Sequence, residues 1–141
     1  MARPLSHSAA ARLLAGRDPV VASLVAEAGP MRLRPPLDSH FAALVRSVVH
    51  QQLAGKAAAA IHGRLVSALG GEVSAEAVLG LSPEDLRGAG LSASKAGSLR
   101  DLAAKVLDGT VVLDPAGLAG EPDEEVIARL CTVRGLSLIH I

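Results

Sequence analysis

Phe41-Ala-Ala-Leu-Val-Arg-Ser-Val-Val-His-Gln-Gln-Leu-Ala-Gly-Lys-Ala-Ala58 is the stretch that decides the fold class. Phe41, Leu44, Val45, Val48 and Val49 fall at i, i+3, i+4, i+7 and i+8. A helix gathers them into one apolar stripe, whereas a strand would scatter them over two faces. Asp38 stands where an N-cap is needed, and the helix should end near His50-Gln51-Gln52. After Leu53-Ala54-Gly55 a second helix is expected from about Lys56 to Leu69, with Ile61, Leu65 and Leu69 at i+4 steps and Gly70-Gly71 closing it.

The same signals recur on both sides. Asp18-Pro19 couples an N-cap to proline at the first helical position, Gly29-Pro30 stops that helix, and residues 31–37, with Pro35-Pro36, read as an extended connector. Ser74 opens one short helix, and Ser82-Pro83-Glu84-Asp85 opens another, ended by Gly88 and Gly90. Ser92 opens a longer helix whose stripe is Leu99, Leu102, Ala103, Val106 and Leu107, ended by Gly109. Thr110-Val111-Val112-Leu113 has no partner strand and reads as extended loop, and a last helix spans about Asp123 to Val133. The expectation is all-α, one compact multi-helix domain. The stripes of 38–50 and 92–108 should pack together and leave apolar surface uncovered.

Composition agrees. Of 141 residues, 50% are apolar, and Ala and Leu outnumber β-branched types. Lys+Arg and Asp+Glu both total 14, so net charge argues neither for nor against a nucleic-acid partner. Phe41 is the one aromatic residue, which is unusual for a protein that must stack a base. The single Cys131 excludes an internal disulfide; set among apolar residues, it reads as a buried, inert thiol of a reducing, cytoplasmic setting. Residues 1–17 carry Arg3, Arg12 and Arg17 and no acid, a pattern shared by transit peptides and by basic first helices. No apolar run approaches the ~20 residues of a membrane span.

Most chemical motifs fail on spacing. Gly55-Lys56 is no phosphate loop, because His50 stands in place of the required first glycine and Ala57 follows the lysine. His40, His50 and His62 lie too far apart for a helical metal pair, so no metal site is expected. The acids Glu121, Asp123, Glu124 and Glu125 sit at a helix N-terminus, where the dipole favours them. What remains is Gln51-Gln52. Two adjacent amides at a helix end are either a solvated terminus or a polar tip able to enter a duplex groove.

The stretch Phe41–Ala58 resembles the signature region of the helix-hairpin-helix DNA glycosylases, and within them it is most similar to the 3-methyladenine DNA glycosylase II type. The resemblance continues in Gly90-Leu91-Ser92-Ala93-Ser94-Lys95-Ala96, similar to the family's Gly-Leu-Ser-x-x-Lys-Ala, and reaches Leu130-Cys131-Thr132-Val133-Arg134-Gly135. It implies a lead-in over 1–17, a partial glycosylase domain over 18–135 and an unmatched tail over 136–141. It also implies that Gln52 is the residue wedged into DNA beside a flipped nucleotide, with Gln51 just before it. Gln51, Gln52, Leu53, Arg134 and Gly135 are then the DNA-binding residues. Ala54 departs from the serine common at that position, a missing cap of about 1 kcal/mol.

The family hairpin reads roughly Val-Arg/Pro-Gly-Ile-Gly-x-Trp-Thr-Ala, its glycines letting backbone amides approach a DNA phosphate. This chain supplies Val133-Arg134-Gly135-Leu136, has Ser137 for the second glycine, and ends in Leu138-Ile139-His140-Ile141, which look like translated adapter sequence. The native sequence is expected to continue past Gly135. The family's catalytic Asp lies beyond the hairpin, so no catalytic residue is assigned here. Asp114 and Asp123 precede the hairpin and cannot replace it. Much of the family's base-stacking pocket also lies beyond, which accounts for the scarcity of aromatics.

The resemblance implies that the parent hydrolyses the N-glycosidic bond of alkylated purines in duplex DNA, as a monomer associated with the bacterial nucleoid. No dissociable cofactor is implied; a monovalent cation belongs with the complete hairpin. This chain alone is expected to be inactive. The alternative is a non-catalytic helical DNA-binding module.

Overall fold

The computed structural model describes residues 5–32 and 38–137, so Pro35-Pro36 and residues 138–141 lie outside the described residues. Every regular element among them is helical, and Thr110–Leu113 is irregular. The chain divides into two units, 1–35 and 36–141.

The first unit is a helical pair. In α1 (His7–Ala15) Ser6 is the N-cap. In α2 (Pro19–Ala28) Asp18 Oδ1 accepts from the amides of Val20 and Val21, with Pro19 at the first position, as its sequence predicts. Neither helix holds a fully buried residue, and Leu13, Leu14, Val20 and Leu24 are exposed.

The second unit comprises α3 (His40–His50), α4 (Gly55–Ala68), α5 (Ala75–Gly80), α6 (Pro83–Gly88), α7 (Ala93–Leu107), α8 (Pro115–Leu118) and α9 (Asp123–Leu130). The α3 stripe is its centre: Phe41, Val45, Val48 and Val49 are buried, and Leu44 is partly buried. Leu65 of α4, Val78 of α5, Leu86 of α6 and Leu99 and Leu102 of α7 close over it. Each such aliphatic side chain contributes about 1.5–3 kcal/mol on burial. Val111 and Val133, from the segments flanking α8 and α9, complete the cluster. The two stripes do pack together, but they are not left uncovered as expected. Those short C-terminal segments and α5 supply the cover, and of the named stripe residues only Leu107, at the end of α7, is exposed.

Local chemistry sets the ends. Ser82 and Asp85 form a reciprocal capping box on α6, and Ser74 and Ser92 cap α5 and α7. After α4 the Gly71 amide reaches Val66 O (2.9 Å) and the Gly70 amide reaches Ser67 O (3.1 Å), a Schellman closure. Three expectations need correction. Ser39, not Asp38, caps α3, its Oγ accepting from the Ala42 amide. The last helix ends at Leu130 rather than Val133, because the chain turns there to bury Val133. Cys131 is exposed rather than buried: as the first residue past α9, it has left the helical face that Leu130 continues inward. Among the described residues, no helix is long and apolar enough to cross a membrane.

Candidate nucleic-acid interface

The turn between α3 and α4 carries Gln51, half-buried, and Gln52, exposed. Gln52 has φ +57°, the left-handed region, which costs an L-residue roughly 1–2 kcal/mol. Something must hold it there. Lys95 Nζ, from the first turn of α7, donates to Val49 O (2.8 Å) and Gln51 O (2.7 Å), on either side of the α3 terminus. Burial holds the Lys95 ammonium below the usual lysine pKa. Ala54 gives α4 no side-chain cap, leaving the loop without the local bond a serine would supply.

The second element is the turn after α9. Gly135 has φ +81°, and a Cβ there would lie 2.5 Å from Ser98 Oγ, so only glycine fits. Ser98 is buried and donates to Ser94 O. One turn along α7, Asp101 Oδ2 accepts from the Arg134 amide (2.7 Å) and from Lys105 Nζ (2.8 Å). Lys105 also donates to Thr132 O (2.5 Å). One helix, α7, thus anchors both turns.

The two turns meet across the N-terminus of α7. Gln51, Gln52, Lys95, Gly135 and Ser137 line one cleft of 490 Å³. Leu53, 41% exposed, borders a neighbouring cleft with Gly90 and Leu91. Four of the five residues assigned to DNA thus border these two clefts. The fifth, Arg134, is exposed and is not among the residues lining these clefts; its guanidinium lies over Gly97 of α7. The Gly135 amide has no hydrogen-bond acceptor among the described residues, which leaves it available to an anion.

The other candidates are accounted for structurally. Glu121 forms a two-point ion pair with Arg129 (2.6 and 2.8 Å). Asp114 caps α8. His50 Nδ1 lies 2.9 Å from Arg46 O, and its ring centroid is 6.2 Å from that of His62. Burial first, then the charges of Arg46 and His50, keep His62 below the usual histidine pKa. Among the described residues, no group of His, Cys, Asp and Glu could hold a metal ion. In the turn after α9 the carbonyls of Thr132 and Val133 accept from Lys105 Nζ and the Leu136 amide.

Residues 45–137 match the HhH-GPD superfamily of base excision DNA repair proteins. The chain belongs to that superfamily. The matched region opens inside α3 and closes at Ser137, so this HhH-GPD chain carries both turns of the cleft within it. Among solved structures it is similar to a DNA-3-methyladenine glycosidase from Bacillus halodurans, at 33% identity and TM-score 0.70, over 85% of this chain and 59% of that one. It is also similar to the 3-methyladenine DNA glycosylase Mag1 of Schizosaccharomyces pombe in complex with abasic DNA, at 30% identity and TM-score 0.77, over 91% of this chain and 64% of that one. The chain thus spans about three-fifths of the length of these relatives. No curated protein matches it.

The anchoring of the turn after α9 should depend on pH. Hydrogen bonds from Lys105, then from the Arg134 amide, hold the Asp101 carboxyl below its ordinary 3.8. A depressed carboxylate stabilises the fold above its unfolded-state pKa, and the stabilisation is lost as pH falls through the folded value. Wild type should therefore lose stability on acidification below 3.8, and Asp101→Asn should flatten that part of the profile. Melting temperatures from neutral pH to about pH 2.5 check this; identical profiles would remove Asp101 from the anchor.

Proposed function

We propose that this chain is the DNA-engaging part of an enzyme that hydrolyses the N-glycosidic bond of alkylated purines, of the 3-methyladenine type, in duplex DNA. One observation carries the reading: the Gln51–Gln52 turn and the Gly135 turn, distant in sequence, face one cleft. An amide pair can enter a groove and fill a gap in the stack, while a free backbone amide at Gly135 receives phosphate. The names of the two similar structures support the substrate class.

The chemistry would need a carboxylate to stabilise the oxocarbenium-like sugar as the base departs. None lines the cleft. In these residues Asp101 is committed to the Arg134 amide and Lys105, and Asp114 to a helix cap. The same observation favours a second reading for the chain alone, a DNA-binding module without chemistry. The expected result is tighter binding to a duplex with one abasic-site analogue than to the intact duplex, with no base released from alkylated DNA above a heat-killed control. Equal binding to both duplexes overturns the first reading; base release overturns the inactivity of the chain.

A further inference from the structure

We propose that Lys95 is a positioning residue that locks the Gln51–Gln52 turn in its recognition conformation, rather than a phosphate contact; the inference rests on the functional reading above. At the end of α3 the Gln51 amide serves the carbonyls of Ser47 and Val48, and the Leu53 amide serves His50. Among the described residues no backbone amide reaches the carbonyls of Val49 or Gln51. Lys95 Nζ serves both, at 2.8 and 2.7 Å. The tether spans 46 and 44 residues of sequence, so it belongs to the tertiary structure and not to either helix alone.

Helix electrostatics points the same way. Lys95 lies in the first turn of α7, where the Ser92 side chain receives its amide. A cation there opposes the dipole of α7, yet the same ammonium sits at the C-terminus of α3, where a cation is favoured. Its placement serves α3 and the turn that follows. Gln52, with φ +57°, lies immediately after the Gln51 carbonyl that Lys95 grips, so releasing the lysine frees that residue to return to ordinary backbone angles. The ammonium faces the cleft wall but spends two of its three hydrogens on the protein, which leaves little for a phosphate.

The test uses Lys95→Met, which keeps an apolar stem and removes the donor, and Lys95→Arg, which restores charge and donors. Hydrogen exchange of the Gln51 and Leu53 amides in free protein reads the tether without DNA. Lys95→Met should speed both by about tenfold or more relative to amides in the middle of α7. Its preference for an abasic-site duplex over an intact one should fall by a similar factor, while the salt slope of intact-duplex binding stays unchanged. Lys95→Arg should recover part of both losses. Val78→Ala, a core truncation remote from the cleft, gives a control with lowered melting temperature and retained preference. A slope lower by about one in Lys95→Met, with normal exchange, identifies a phosphate contact and overturns the proposal. Unchanged exchange and unchanged preference overturn it as well. If wild type shows no abasic preference, the functional reading fails, and the exchange rates alone decide the tether.

Discussion

Gly135→Ala should destabilise the second unit by about 2–5 kcal/mol, a large fraction of a typical net stability. Two penalties combine. An L-residue at φ +81° is strained by roughly 1–2 kcal/mol. Its Cβ would also lie 2.5 Å from Ser98 Oγ, and that hydroxyl cannot swing aside without leaving Ser94 O, a loss of about 1–3 kcal/mol for a buried group. The chain can relieve both by letting the turn detach, and the proposed DNA-binding cleft needs the turn to stay docked. Ser98→Ala in the same chain removes the second penalty and leaves the first. The double variant should therefore recover about half of the loss, a coupling that a double-mutant cycle reads directly from chemical denaturation. Full additivity of the two substitutions would show that the side chains do not meet.

What the sequence showed, and what it hid, divides along the range of the interactions. The α3 stripe was readable because helical periodicity depends on neighbours three and four residues away, and Phe41, Val45, Val48 and Val49 are all buried. The caps at Asp18, Ser74, Ser82 and Ser92 were readable for the same reason. Where two cap-forming residues adjoin, as at Asp38-Ser39, local pattern cannot choose; the structure gives the bond to Ser39. The Asp114-Pro115 pair has the same signature as Asp18-Pro19 but opens only one turn of helix, α8, too short to show a stripe. Cys131 has apolar neighbours in sequence yet is exposed, since periodicity no longer applies once α9 has ended.

The candidate site was legible in part. Gln51-Gln52 stood out because packing does not require two amides there, and the glycine at 135 because only the family hairpin explained it. Nothing local revealed that both turns are anchored on α7. Lys95 bonds residues 46 and 44 positions away, and Asp101 receives an amide 33 positions away. Such contacts leave no periodicity to read. The family stretch Gly90–Ala96 marked Lys95 as part of a motif, but only the folded chain gives the lysine its acceptors.

Gln51→Ala together with Gln52→Ala should abolish the preference for an abasic-site duplex while leaving stability within about 0.5 kcal/mol. The stability half follows from the hydrogen bonds. Lys95 grips the backbone carbonyl of Gln51, not its side chain, so truncation leaves the turn tethered. Neither glutamine belongs to the buried core, and Gln52 keeps its left-handed backbone whichever of the two side chains it carries. The binding half follows from the duplex. At an abasic site the stack already has a gap, so an inserted amide gains contacts without first unstacking a base, a step that costs a few kcal/mol in intact DNA. Alanine is too short to span the gap and brings no groove hydrogen bonds, so the advantage of the damaged duplex should drop by about tenfold or more. Binding to the intact duplex rests on lysine and arginine contacts to phosphate and should keep its salt slope. Competition binding with labelled abasic and intact duplexes, alongside a thermal melt, measures all three quantities. A folded double variant with the wild-type preference would make the two glutamines a solvated helix end.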